Sequence, residues 1–210
     1  MSGQRRRSLL AMAAAASATP WLLLRSGPAR AGAQAEEPLI DSVRTALSAA
    51  IAAAAPPKPV FDKLEERLAF LRWLGAASER LKPRKTEART RIEFLETLWY
   101  EATRAGLEPA LVLALVQVES GFRKYAISSA GARGYMQVMP FWSRQIGDGD
   151  ASRLFHTQTN LRFGCVILRH YLGVERGDLF LALGRYNGSR GQSPYPNAVL
   201  ANRRIWQVTA

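Results

Sequence analysis

The chain has 210 residues, 48% hydrophobic and 22% charged, with 16 Gly and 11 Pro. Those proportions fit one packed domain with additional pieces and exclude a low-complexity or collagen-like chain. A single Cys excludes a disulfide scaffold and a cysteine-cluster metal site, and a formal charge of +12 leaves nucleic acid, a membrane surface or an acidic polymer open as partners.

Residues 1–35 hold five Arg and no Asp or Glu. Arg5-Arg6-Arg7 precede a mostly apolar run from Leu9 to Leu24, and small residues follow. That order is the pattern of an export signal peptide. Ser17, Thr19 and Pro20 interrupt the run, whereas a permanent span needs about 20 apolar residues, so no membrane-spanning helix is expected here. Ala29-Arg30-Ala31 and Ala33-Gln34-Ala35 both fit cleavage. Arg6-Arg7-Ser8-Leu9-Leu10 resembles a twin-arginine export signal, and an ordinary Arg-rich signal fits equally well. No Cys lies near either cleavage site, so no lipid anchor is expected and the mature chain is expected in the periplasm. Without residues 1–35, 24 basic side chains face 17 acidic ones. The excess falls in residues 108–210, with 12 basic and 6 acidic.

Apolar residues at Leu39, Ile40, Val43, Leu47 and Ile51 recur every three or four positions and predict a helix over 38–55. Pro56-Pro57-Lys58-Pro59 ends it as a stiff, extended link. The spacing of Leu64, Leu68, Leu71, Trp73 and Leu74 predicts a second helix over 60–81, stopped by Pro83. Thr86 to Ala105 reads as a third, with Thr86 as N-cap, Ile92, Leu95, Leu98 and Trp99 buried, and Gly106 as the stop. Pro109 opens a helix that is apolar nearly all round as far as Glu119, and this is the expected central helix of the core. Residues 120–140 read as loop. Helical patterns resume over 151–172, 178–187 and 195–205, with a loop over 188–194. The predicted fold class is all-α, with additional N-terminal helices before the main domain.

Glu119 is the carboxylate out of place. It ends a hydrocarbon helix, where desolvation and the negative end of the helix dipole both disfavour its ionised form. A carboxyl that keeps its proton near neutral pH suits a general acid. The alternative is a glutamate pointing to solvent as the helix surfaces.

The residues that follow favour the first reading. Glu119-Ser120-Gly121-Phe122 leads into Ser128 and then Gly131-Ala132-Arg133-Gly134-Tyr135-Met136-Gln137-Val138-Met139-Pro140. Asn160-Leu161 through Gly164 to Tyr171-Leu172, and Ala182-Leu183 to Tyr186-Asn187-Gly188, follow in order. This resembles the soluble lytic transglycosylase family over about residues 95–206. The resemblance implies a lysozyme-like helical domain, placed at 95–210, behind a helical N-terminal region at 36–94 to which it assigns no role. The chain departs from the family pattern at Tyr135, where Leu is usual, at Gly184-Arg185, where small residues are usual, and at Gly188-Ser189, where Ala-Gly is usual.

A glycosidase ordinarily needs two carboxylates. After Glu119 the chain offers Asp148, Asp150, Glu175 and Asp178, and Gly147-Asp148-Gly149-Asp150 reads as a solvated turn or cap. The resemblance implies that one glutamate suffices, acting as acid and then as base to cleave the MurNAc-β-1,4-GlcNAc bond of peptidoglycan and leave a 1,6-anhydromuramyl end. It further implies that Ser128 bonds the substrate near an acetamido group, that Gln137 and Met139 line the sugar groove, and that Gly134 permits close backbone approach. Tyr186 and Asn187 are implied to sit near Glu119, as core or turn residues if not as site residues. No cofactor or metal is expected, since His156 and His170 stand alone, and Cys165 reads as packing. Trp73, Trp99, Trp142 and Trp206 read as core, with Trp142 placed to edge the groove. The partner implied is the peptidoglycan strand. A hydrolase of the same fold, a wall-binding protein without catalysis, and a nucleic-acid binder are the rivals. The basic residues form no run interleaved with aromatics, which disfavours the last.

Overall fold

The computed structural model describes residue 45, residues 59–146 and residues 149–208. The export segment, the helix expected over 38–55 apart from Thr45, most of the proline link and the Gly147-Asp148 pair lie outside the described residues.

The described residues form helices α1 (Leu64–Leu81), α2 (Ala88–Arg104), α3 (Pro109–Ser120), α4 (Pro140–Ile146), α5 (Thr157–Val174), α6 (Leu179–Asn187) and α7 (Pro194–Trp206), with a 3-10 turn over Ala151–Phe155. No strand occurs among them; the loop before α4 holds isolated bridges from Arg133 to Ile127 and to Val138. The all-α expectation is met, and each predicted helix within the described residues is present.

Helix α3 is the centre. Pro109 supplies its first turn and Gly121, at φ 57, ends it in the left-handed conformation that glycine adopts without penalty. Every side chain from Ala110 through Val116 is buried. Full burial of one such Leu or Val contributes about 1.5–3 kcal/mol. Truncating Leu115, which has no exposed surface, to Ala would cost about 2–5 kcal/mol through the cavity it leaves.

Helix α7 lies along α3 and is tied to it by side chains. Trp206 Nε1 donates to Gln117 Oε1 at 2.8 Å, Gln117 Nε2 donates to Asn202 Oδ1 at 2.5 Å, and Arg203 Nε donates to Glu108 Oε2 at 2.6 Å. Helices α2 and α5 are joined by a buried two-point pair, Arg162 Nε to Glu101 Oε2 and Arg162 Nη2 to Glu101 Oε1, both at 2.9 Å. Removing either partner strands a buried charge, at a cost of about 3–5 kcal/mol. Cys165 packs within α5 with its thiol pushed up by burial and then by nearby Glu101, as expected of a packing residue.

Three expectations need correction. The cap of α2 is Glu87, whose carboxylate accepts from Arg89 N at 2.8 Å and Thr90 N at 2.5 Å; Thr86 instead gives its carbonyl to Arg91 Nη1. On α1 the periodic residues Leu64, Leu68 and Leu71 are exposed, while Phe70, Ala77, Ser78 and Leu81 are buried. Phe70 joins Trp99 and Phe61 in an aromatic group with centroids 4.9 to 5.5 Å apart, so the inward face is turned from the leucine stripe. Trp142 is fully buried against Phe141 and cannot edge a groove. Trp206 is core as expected, and Trp73 and Trp99 are partly buried.

Candidate active site

Glu119 is the penultimate residue of α3 and is 7% exposed. Its Oε1 accepts a hydrogen bond from Tyr195 Oη at 2.5 Å, and its Oε2 is buried with no hydrogen-bond partner. Burial pushes the carboxyl up to about 8, against the opposing pull of the Tyr195 hydroxyl. Tyr195 is itself pushed well above its usual range, by burial first and then by Glu119, and so remains a donor. At neutral pH Glu119 therefore carries a proton.

The loop over 121–139 follows α3 directly and is held from three sides. Asn160, on α5, accepts from Met136 N and donates to the carbonyls of Arg133 and Leu154, each at 2.8 Å. Gln137 Nε2 donates to the carbonyls of Gly134 and Ala126 at 2.9 and 3.1 Å. Tyr186 Oη, on α6, donates to Met136 O at 2.8 Å. Two non-glycine residues of the loop, Phe122 and Gln137, have positive φ, an uncommon backbone state that these bonds and the burial of Phe122 between Phe94 and Trp206 maintain.

The structure brings together some of the sequence-predicted residues and reassigns others. Ser128 is half-buried and closes its turn, its Oγ accepting from Ala132 N at 3.1 Å. Gly134 does permit a close approach, but to the chain itself: at φ 75, a Cβ there would lie 2.3 Å from Asn160 Nδ2 and 2.5 Å from Leu154 O. Gln137 is 2% exposed with its amide spent on the carbonyls of its own loop. Met139 is partly buried against the core. Tyr186 is fully buried and lies close enough to Tyr195 to raise its pKa, which puts it in the same neighbourhood as Glu119. Asn187 is nearly buried and accepts from Ser189 Oγ at 2.9 Å.

Tyr195 was missed by the sequence reasoning, as was Asn160 in its role as loop anchor. Tyr195 sits 76 residues from Glu119 between Pro194 and Pro196, and no local spacing links the two. The polar side chain of Asn160 near the start of a buried helix was the available signal for the second.

The candidate second carboxylates have other occupations. Asp150 caps the 3-10 turn through Ser152 N, and Asp178 caps α6 through Leu181 N. Glu175 is held at about 2, chiefly by Arg190 and further by Arg185, each at 2.7 Å. Asp148 lies outside the described residues. Among the described residues no group of three or more His, Cys, Asp or Glu could hold a metal ion. No described helix is long and apolar enough to cross a membrane. A cavity of about 570 Å³ lies elsewhere, between Trp73, Glu108 and Trp206. It meets α3 at its N-terminal end, about 16 Å along the axis from Glu119.

The family model for the transglycosylase SLT domain matches residues 97–201. The chain belongs to that family. Among curated proteins it is 30% identical over 118 residues to the transglycosylase of Enterobacteria phage PRD1, covering 53% of this chain and 43% of that protein. It is 37% identical over 100 residues to the membrane-bound lytic murein transglycosylase C of Actinobacillus pleuropneumoniae, covering 44% and 26%. A solved structure of the lytic transglycosylase Slt of Pseudomonas aeruginosa, in an inactive mutant form, aligns with a TM-score of 0.49 and 24% identity over 67% of this chain and 29% of that one. The chain thus spans less than half the length of these curated relatives. Glu119, the loop, Asn160, Tyr186 and Tyr195 all fall inside the matched SLT segment.

Proposed function

We propose that the chain is an exported peptidoglycan lytic transglycosylase and that Glu119 is its acid and then its base. The observation that carries this reading is the buried Glu119 carboxyl, protonated at neutral pH, with one oxygen held by Tyr195 and the other unpartnered. Family membership supplies the substrate class.

In this reading the Glu119 proton passes to the glycosidic oxygen as the bond from the muramic anomeric carbon breaks. The N-acetyl carbonyl of the muramic residue stabilises the positive charge that develops there, and Ser128 helps to position that acetamido group. Glu119, now a carboxylate, takes the proton of the muramic O6 hydroxyl as O6 closes on the anomeric carbon. The bonds from the anomeric carbon to the glycosidic oxygen and from O6 to its hydrogen break. Those from the anomeric carbon to O6 and from the leaving oxygen to hydrogen form. Glu119 ends protonated again, with the proton taken from O6. The Tyr195 hydroxyl favours the ionised state between the two steps. No second carboxylate is required, which accords with the described ones being engaged in caps and ion pairs.

The product of this chemistry contains no added water, whereas a hydrolase of the same fold would add one. Treating purified cell-wall sacculi with the wild-type chain and with Glu119→Gln tests the assignment of the residue. Release of soluble fragments by the first and a loss of about a hundredfold or more in the second is the expected result, since general acid–base catalysis contributes about 10²–10⁴-fold. Equal release by both would remove Glu119 from the mechanism. Export follows from the leader-like residues 1–35, and cell fractionation with N-terminal sequencing of the mature protein tests it.

A further inference from the structure

The loop that follows α3 carries a second group of side chains around the exposed Tyr125. The Tyr125 ring is 70% exposed and tilts against Phe155 at 5.8 Å between centroids. Lys124 Nζ lies 5.3 Å from the centre of the Tyr125 ring, and the Arg133 guanidinium 5.6 Å from that of Phe155. Lys85, from the segment before α2, donates to Tyr135 Oη at 2.7 Å and lies over the rings of Phe94 and Tyr135. Lys85 is half-buried, and its pKa is lowered by that burial and then by the positive charge of Lys124.

These observations describe cations gathered against aromatic faces without a counter-charge. Neither Lys85, Lys124 nor Arg133 forms an ion pair with a described carboxylate. Glu87, two residues from Lys85, caps α2, and Asp150, five residues before Phe155, caps the 3-10 turn. Cation–π contacts offset part of the repulsion between Lys85 and Lys124, and an anion placed between them would remove it. The exposed Tyr125 ring adds an apolar face of the kind that stacks on the C–H face of a sugar ring. A ligand that satisfies both features has carboxylates and pyranose rings in one molecule.

We propose that Lys85, Lys124 and Arg133, with Tyr125 and Phe155, form a secondary binding site for the carboxylates of peptides still attached to the glycan strand. The site makes the chain prefer peptide-bearing strands to stripped ones. This rests on the peptidoglycan reading above and extends it along the strand from Glu119.

The test is equilibrium binding by the full chain carrying Glu119→Gln, so that no substrate is consumed. Glycan strands with intact peptides are compared with the same strands stripped by an amidase, and with poly-glutamate as a sugar-free polyanion. Lys124→Glu and Tyr125→Ala, both at the outer face, are added singly to that background. The expected result is tighter binding of peptide-bearing strands, reduced about fivefold or more by Lys124→Glu at low salt with binding of stripped strands little changed, while Tyr125→Ala weakens both kinds of strand. A preference for peptide-bearing strands that Lys124→Glu leaves intact would overturn the proposal, as would equal weakening of both kinds of strand by Lys124→Glu. Loss of poly-glutamate binding in parallel with peptide-bearing strands on Lys124→Glu, with Tyr125→Ala silent, would reduce the site to unspecific charge. Binding to neither strand also overturns it. The catalytic reading is judged separately, by fragment release from sacculi with Glu119 intact.

Discussion

Tyr195 Oη donates to Glu119 Oε1 at 2.5 Å, joining the first turn of the last helix to the end of the central one. This bond opposes burial: burial raises the Glu119 pKa and the tyrosine hydroxyl lowers it. The balance, at about 8, keeps the carboxyl protonated at neutral pH, as the proposed acid requires.

Tyr195→Phe removes the opposing contribution. The Glu119 pKa should rise further above 8, and the alkaline limb of the pH–rate profile should move to higher pH. A hydrogen bond to a charged group contributes about 1.5–3 kcal/mol, so kcat should fall about ten- to a hundredfold. A profile measured on sacculi checks both effects. An unchanged alkaline limb would separate Tyr195 from the titration of Glu119.

The same carboxyl links stability to pH. Its folded pKa of about 8 lies above the ordinary value of 4.5, so the folded state binds the proton more tightly than the unfolded state. The corresponding stability is fully present below about pH 4.5 and is lost as pH rises through about 8, at about 1.4 kcal/mol per unit of pKa difference. Glu119→Gln removes the ionisation and this dependence. Near pH 5 its Tm should differ little from wild type, and near pH 9 it should be the more stable protein by a few kcal/mol.

Gly164 on α5 faces Met136, and an added Cβ would lie 2.3 Å from Met136 Sδ and 2.7 Å from its Cβ. Met136 presents the carbonyl that takes the Tyr186 hydroxyl. Gly164→Ala should cost about 1–3 kcal/mol through overpacking. It should also lower activity by more than the fraction unfolded accounts for, because the loop shifts. Chemical denaturation and activity measured on the same sample separate the two.

Asn160→Ala leaves the Met136 amide and the Leu154 carbonyl without their side-chain partner, while the Arg133 carbonyl keeps its bond from Val138 N. A buried polar group left unpaired costs about 1–3 kcal/mol, so the loss in denaturant unfolding should reach several kcal/mol. Amide exchange should quicken first at Met136, whose N–H the side chain protects directly.

Much of this was legible in the sequence where the signal is local. Periodicity located the described helices except the short α4, Pro109 and Gly121 bracket α3, and a lone glutamate ending a hydrocarbon helix stood out. Properties that depend on what packs against an element were not legible. Leu64, Leu68 and Leu71 have helical spacing but face outward, since the neighbouring aromatics Phe61 and Trp99 gather around Phe70 instead. Gln137 has the polarity of a groove residue, yet its amide is directed into the loop it stabilises. Tyr195 meets Glu119 only because α7 returns along α3, a long-range pairing that no spacing encodes.

The most direct test of the central claim is mass spectrometry of fragments released from sacculi in ¹⁸O-labelled water. The account predicts 1,6-anhydromuramyl ends that carry no label and disappear with Glu119→Gln. Reducing muramyl ends, each heavier by one labelled water, would contradict it: O6 would not be the group that captures the sugar, and a water-activating carboxylate would have to be found.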